Sequence, residues 1–215
     1  FFMEGDSQGA YRNNNLFSKY YIENYLPKSP EWGGNDHIKA FDLIKEICNR
    51  ESKFLHTYNE KQLENHFFND IFDVLGFEYE VTEPTEARNF PDYAFFVDRK
   101  SLEDAHKKKD AISFFTNAIA IGEVKQWKVD LDKITKNEYS ISENPSLQIR
   151  TYLDDTKQKW GILTNGRYWR LYCKDKRRDD YLEVDLPFLI LSNDIEAFRF
   201  FYYFFRKDAF ISSQE

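Results

Sequence analysis

The chain has 215 residues, enough for one domain or for one domain with a helical appendage, and 41% hydrophobic residues, ample for a packed core. Aromatics reach 18%, with 21 Phe and 14 Tyr, so the core is expected to rest on Phe and Tyr, with some surface left for a partner. A net charge of −7 argues against a domain that holds nucleic acid by charge alone, because neutralising phosphate takes clustered Lys and Arg.

Cys48 and Cys173 stand alone, without metal-ligand spacing, and free thiols fit a reducing cytoplasm better than a disulfide scaffold. A charged-then-apolar leader and a run of about 18 apolar residues are both lacking, so neither a signal peptide nor a membrane span is expected. The chain opens Phe1-Phe2-Met3, with Met3 readable as an internal residue, as in a fragment.

Residues 1–55 read as helical. Leu16, Phe17, Tyr20, Tyr21 and Leu26 precede a break at Pro27 and Pro30, and Ile38, Phe41, Ile44, Lys45 and Cys48 follow at helical spacing. A further helix is expected over Asn59–Leu75, its apolar face Leu63, Phe67, Ile71, Val74 and Leu75, with Gly76 as C-terminal cap. Strands are expected at Phe77–Glu83, Pro91–Asp98 and Asn117–Trp127, with a charged helix or loop over Ser101–Asp110.

Asn144-Pro145 reads as an N-cap followed by proline at the first helical position, starting a helix to about Asp154. Trp160–Thr164 and Tyr168–Cys173 flank Asn165-Gly166, a hairpin signal in which both turn residues tolerate positive φ. Tyr181–Leu186 is a further strand, and Asn193 with Glu196 can cap a last helix, Ile195–Phe210. Phe198, Phe200, Phe201, Tyr202, Tyr203, Phe204 and Phe205 leave that helix no polar face, so it should be buried. It could be a linker into a missing domain, a contact to another chain, or the completion of this domain's own core. The order of helix, three strands, helix and further strands predicts an α/β sandwich around a mixed sheet.

One constellation carries chemistry. Asp92 opens a strand after Pro91, and Glu123 and Lys125, two apart on a strand, point to one face. Ile119 and Ile121 are expected to continue that face into the core, with Ala118, Ala120 and Val124 on the other. A strand apolar on both sides is central, and a carboxylate and an ammonium at its end are costly there unless they pair or serve a purpose. Two carboxylates and a backbone carbonyl suit magnesium, which in phosphodiester cleavage stabilises phosphoryl charge and acidifies water. A nearby lysine can orient the attacking water or stabilise the transition state. A bare D…ExK match is short, and on it alone a turn aspartate with a surface ion pair is the better reading; its company reverses this.

Pro91-Asp92…Glu123-Val124-Lys125 resembles the PD-(D/E)XK nuclease signature, and Gln148 and Tyr152 form the Q-x-x-x-Y of one branch of that superfamily. The run Trp160-Gly161-Ile162-Leu163-Thr164-Asn165-Gly166-Arg167-Tyr168-Trp169-Arg170-Leu171-Tyr172 is similar to one in the nuclease domains of type IIG restriction enzymes, which fuse endonuclease and methyltransferase; type I restriction subunits carry a related run. The resemblance covers about residues 56–190. It implies an α/β restriction-endonuclease-like core with a mixed central sheet flanked by helices, plus N-terminal helices. The implied division is a helical extension (1–55), the nuclease core (56–190) and a linker helix toward a missing domain (191–215).

The resemblance further implies Mg2+ held by Asp92 and Glu123, with Lys125 assisting the water and Gln148 supporting the site. It brings in an acidic residue of the first helix: Glu64, with Glu60 as competitor and a solvated helix residue as the plain alternative. Tyr152 would join Gln148 or lie in the core. The partners would be double-stranded DNA and the methyltransferase and target-recognition domains of a parent chain, in the cytoplasm, with no membrane, and a dimer could form for double-strand cleavage. Two other readings stand beside it: the nuclease domain of a type I motor subunit, and a nuclease-like fold kept as a non-catalytic scaffold or DNA contact.

Other sites are weaker. His37, His56, His66 and His106 are scattered without zinc spacing, and neither a Gly-rich phosphate loop nor a methyltransferase motif is present. Lys157, Lys159, Arg167 and Arg170 around the hairpin read equally as phosphate contacts or as solvated strand ends, and Lys107-Lys108-Lys109 reads as a soluble loop.

Overall fold

The computed structural model describes residues 9–82, 90–134, 136–137, 140–141 and 144–211. Phe1-Phe2-Met3, the expected strand end at Glu83 and the last four residues of the expected C-terminal segment lie outside them.

In chain order, β1 (Arg12–Asn14) precedes a π turn (Tyr21–Tyr25), two short 3-10 turns and α1 (Asp36–Glu51). Then α2 (Glu60–Leu63), a π turn (Glu64–Phe68) and α3 (Asn69–Val74) run on as one helical segment. It starts at a capping box, in which the Asn59 side chain accepts from Gln62 N and the Gln62 side chain accepts from Asn59 N. Strands β2 (Glu78–Val81) and β3 (Tyr93–Phe96) follow, then α4 (Arg99–His106), α5 (Ala111–Phe114), a 3-10 turn and β4 (Ala120–Val124). A small ribbon, β5 (Lys136–Asn137) with β6 (Ser140–Ile141), leads to α6 (Pro145–Thr156), whose first turn is capped by Asn144. The chain closes with β7 (Trp160–Thr164), β8 (Tyr168–Cys173), β9 (Tyr181–Asp185), α7 (Leu186–Ser192), α8 (Ile195–Phe205) and α9 (Asp208–Ile211).

Among the described residues the main sheet has seven strands in the order β1-β9-β8-β7-β4-β3-β2. Among the described strands β4 and β7 are the pair that runs parallel, and joining them needs a crossover, which α6 supplies. The fold is therefore α/β, with a mixed sheet flanked by helices. One face of the sheet, with Ala120, Val124 and Ile162, packs on the helical segment Glu60–Val74, on α1 and on α8. The other, with Ala94, Phe96, Ile121 and Leu163, packs on α4 and α6.

Several expectations need correction. The N-terminal region is not wholly helical: β1 extends the sheet edge by pairing with β9. Ile119 does not share a face with Ile121, because a 3-10 turn delays the strand to Ala120 and Ile119 packs with the opposite cluster. Asn165 does not adopt positive φ; only Gly166 does, at 87°, with Gly166-Arg167 as the turn's centre, the pattern of a II′ turn. Helix α7 lies where no element is expected, and Asn193, expected to cap α8, ends α7 in the left-handed region while Asp194 caps α8. Helix α8, for its part, packs into this chain's own core, one of the readings open for it. Phe198, Phe201 and Phe205 are fully buried, Phe201 and Phe205 packing edge-on against Trp169 of β8, and one apolar cluster runs from Leu16 to Phe210.

Candidate active site

The antiparallel register of β3 on β4 pairs Tyr93 with Gly122, so the next pair outward is Asp92 with Glu123. Gly122 permits this close approach: a Cβ there would lie 2.8 Å from a ring carbon of Phe95 and 3.1 Å from Tyr93 Cβ. The turn before β3 is pinned to β2. Thr82 N donates to Asp92 O at 2.9 Å, and the Thr82 hydroxyl donates to Pro91 O.

Two further bonds then fix the carboxylates against each other's backbone. Val124 N donates to Asp92 Oδ2 at 2.8 Å, and Asp92 N donates to Glu123 Oε2 at 3.3 Å. The remaining Glu123 oxygen, Oε1, accepts from Lys125 Nζ at 2.5 Å. The Glu123 side chain is 2% exposed and that of Lys125 15%, so this ion pair sits largely out of water. The sequence spacing thus brings Asp92, Glu123 and Lys125 together at one end of the central strands, on the face covered by α6.

The electrostatics follow from burial. Desolvation pushes the Asp92 carboxyl up to about 6; Lys125 and the Val124 amide oppose that, while the negative charges of Glu60 and Glu64 add to it. Desolvation and then the Asp92 charge push Glu123 up to about 8, against the pull of Lys125. Burial works against the Lys125 ammonium, but Glu123, Asp92 and Glu60 together outweigh it and hold its pKa above the ordinary value. The pair is short of positive charge: one ammonium, that of Lys125, faces two carboxylates whose ionised forms burial disfavours.

Gln148 and Tyr152 occupy one face of α6, with Gln148 Nε2 donating to the Tyr152 hydroxyl at 2.9 Å. Burial and then the charge of Glu123 push the Tyr152 phenol up to about 12, so this pair lies within electrostatic reach of the acidic cluster. Tyr152 is also a core residue, at 6% exposure, packed beside Ile149 and Leu153. Glu64 is buried, and Lys61 Nζ lies 3.1 Å from its Oε2. It opens the π turn, a helix irregularity often found at functional sites. Its charge, like that of Glu60, adds to the raised pKa of Asp92.

Among the described residues no three His, Cys, Asp or Glu side chains converge as a metal-binding group. Asp92 and Glu123 offer two carboxylates at the ends of neighbouring strands, and one or two is the number that magnesium, which keeps several of its waters, takes from a protein.

Arg170 is neither a phosphate contact nor a solvated strand end. Its side chain is 5% exposed, bonded to Asp132 at 2.6 and 2.8 Å and to Glu183 at 2.6 Å. Arg167 pairs with Asp185 at 3.0 Å. Residue-type reasoning also passes over the contribution of the Val124 amide and the packing of Trp127 on Gly166. A Cβ at Gly166 would come within 2.9 Å of the indole. Period-2 alternation carries no signal for either, because both depend on how chain segments outside one strand approach it. Comparison with protein-family models, with curated proteins and with solved structures gives no match.

Proposed function

We propose that this chain is a magnesium-dependent endodeoxyribonuclease domain of the PD-(D/E)XK type, hydrolysing DNA phosphodiester bonds within a restriction-modification enzyme. The observation that carries the reading is the cross-strand pair Asp92 and Glu123, each bonded to the other strand's backbone, with Lys125 on Glu123 at 2.5 Å. The architecture supports it. The sheet is mixed and flanked by helices, as the motif's resemblance implies, and it carries the charged residues at the ends of β3 and β4.

Asp92 and Glu123 would hold Mg2+, and a cation there would offset the burial that disfavours their ionised forms. When bound, the ion would supply charge stabilisation at the phosphoryl oxygens and acidify a water. Lys125, already directed at Glu123, would orient that water or neutralise charge developing at the phosphate. Gln148, paired with Tyr152 on α6, would flank the same end of the sheet. With 37 acidic against 30 basic residues, the chain has little polyelectrolyte attraction for duplex DNA, which favours delivery of the substrate by methyltransferase and target-recognition domains of a parent enzyme of type IIG.

The test is cleavage of plasmid DNA by the parent protein with magnesium. Lys125→Ala should lower the single-turnover rate by about 100- to 1000-fold while leaving DNA binding in calcium unchanged. Cutting at the wild-type rate by that variant would refute the reading.

A further inference from the structure

We propose that Trp127 and the Asn165-Gly166 turn form a clamp that positions Lys125, making Trp127, Asn165 and Gly166 positioning residues for the chemistry at Glu123. The inference deepens the nuclease reading and rests on it for its functional consequence, though not for its geometry.

Lys125 is the first residue beyond β4. Its amide donates to Thr164 O at 2.8 Å, the last rung toward β7. Past that point the ladder fixes nothing, and a lysine with four rotatable side-chain bonds is held only as well as the backbone on both sides of it. The near side is strand β4. The far side, residues 126–129, leaves the sheet.

Two contacts from the β7–β8 turn hold that far side. The Asn165 carboxamide donates from Nδ2 to Val129 O at 2.9 Å. Its Oδ1 meanwhile accepts from Arg167 N at 3.1 Å and Tyr168 N at 2.8 Å, so one buried side chain builds the turn and ties it to the loop after Lys125. The second contact is the indole of Trp127 on Gly166. A Cβ at Gly166 would lie 2.9 and 3.0 Å from two indole carbons and 3.3 Å from the ring of Phe67, and its φ of 87° already disfavours any other residue. Phe67, in the π turn that Glu64 opens, meets Trp127 edge-on at 6.4 Å. Trp127 is therefore gripped between the helix bearing Glu64 and the hairpin turn, two residues from Lys125.

This gives a physical task to the Thr164-Asn165-Gly166 part of the aromatic run, which supplies no charged group to the site. The turn needs a carboxamide because it must accept and donate at once, and it needs glycine twice over, for φ and for the indole.

The experiment uses the whole chain labelled with 15N-lysine, and the ammonium 1H–15N signal of Lys125, assigned by its loss in Lys125→Met. In the wild type the buried pair with Glu123 should protect these protons from exchange. Trp127→Ala should abolish that protection and, in the parent protein, lower the single-turnover DNA cleavage rate by up to about 100-fold with DNA affinity unchanged, the scale expected for a misplaced catalytic group. Trp127→Phe, which keeps an aromatic ring on Gly166, should restore both to within about threefold. Asn165→Asp retains the acceptor that forms the turn but loses the donor to Val129, and should behave like Trp127→Ala; it also decides the matter if Trp127→Ala does not fold.

Retention of the protected Lys125 signal in folded Trp127→Ala and Asn165→Asp would overturn the clamp, as would failure of Trp127→Phe to restore it. The ammonium signal reads the clamp without reference to DNA. Absence of cleavage by the wild-type parent protein, or cleavage unaffected there by Lys125→Ala, would instead strike at the nuclease reading alone.

Discussion

The strand ends at Asp92 and Glu123–Lys125 and the hairpin of β7 and β8 lie side by side, yet they are built on opposite principles. The first region gathers charge where the fold disfavours it. Glu123 is almost wholly buried, and burial raises both carboxylates above their ordinary range against the pull of one lysine, with the charge of Asp92 adding to the rise at Glu123. The second region places none of the acidic or basic residues of the cluster, but its buried groups are well paired. Trp169 is fully buried and donates to Gly166 O at 3.2 Å, and Arg170 is closed in by Asp132, Glu183 and Ser146. A region that holds unfavourable charge has to be braced by one that does not, and the contacts run that way: Thr164 O to the Lys125 amide, Asn165 to Val129, Gly166 to Trp127.

If that contrast is right, substitutions in the two regions should move different observables, and the largest change in stability should come from the hairpin. Arg170→Met removes the cation from between Asp132 and Glu183 and leaves the largely buried Glu183 without it. The expected loss is about 3 kcal/mol, at the low end for breaking a buried pair because Asp132 is 57% exposed and can be rehydrated. A urea midpoint measurement with unchanged slope checks this; a shift within error would mean the network contributes nothing to holding the hairpin.

The acidic cluster should do the reverse. Glu123 has its folded pKa raised, to about 8, so its contribution to stability is fully present below its unfolded value and is lost as pH rises through 8. Glu123→Gln removes the titration. It should therefore raise the melting temperature of the metal-free chain at pH 9 by a few degrees, and change it little at pH 4, where Glu123 is largely protonated in both folded and unfolded states; about 2–4 °C per kcal/mol is the scale for a chain of this size. A variant less stable than wild type at pH 9 would show that the bond to Lys125 outweighs the burial of the charge.

How much of this is legible in the residues follows from the same contrast. Asp92, Glu123 and Lys125 are readable because residue type and a spacing of two determine which side chains share a face. The hairpin's strands are readable from their apolar runs and the Asn-Gly signal, but not the turn's conformation, since Asn165 serves through its side chain instead of a positive φ. Helix α7 escapes a reading by period because Leu186-Pro187-Phe188-Leu189-Ile190-Leu191 is a continuous apolar run; the signal present is Asp185 before Leu186-Pro187, a cap with proline in the first turn. The burial of α8 follows from its lack of a polar face, whereas its neighbours do not: only the packed structure shows that Trp169 and α1 supply them. Trp127 on Gly166 joins loops distant in sequence and has no local signature.

The smallest expected effect concerns Glu64, which by sequence is either a site residue or a solvated helix residue. Its charge and that of Glu60 reach Asp92 and contribute to its raised pKa, but they come after desolvation, Lys125 and the Val124 amide in influence. A carboxylate that acts only through space, without bonding to the ion, contributes less than a ligand in direct contact with it. Glu64→Gln should accordingly weaken calcium binding, a cleavage-silent stand-in for magnesium, by only about two- to fivefold, with Glu60→Gln similar and the pair of substitutions close to additive. Asp92→Asn, by contrast, should abolish measurable binding. The comparison is best made by calorimetric titration at pH 7.5 and again at high salt, where through-space contributions shrink and direct ligation does not. A loss of about 100-fold or more from Glu64→Gln alone, persisting at high salt, would place Glu64 in the ion's coordination sphere. The π turn that begins at Glu64 would then have a direct purpose, bringing a third carboxylate to the cluster when the cation binds, and a purely through-space role for Glu64 would be wrong.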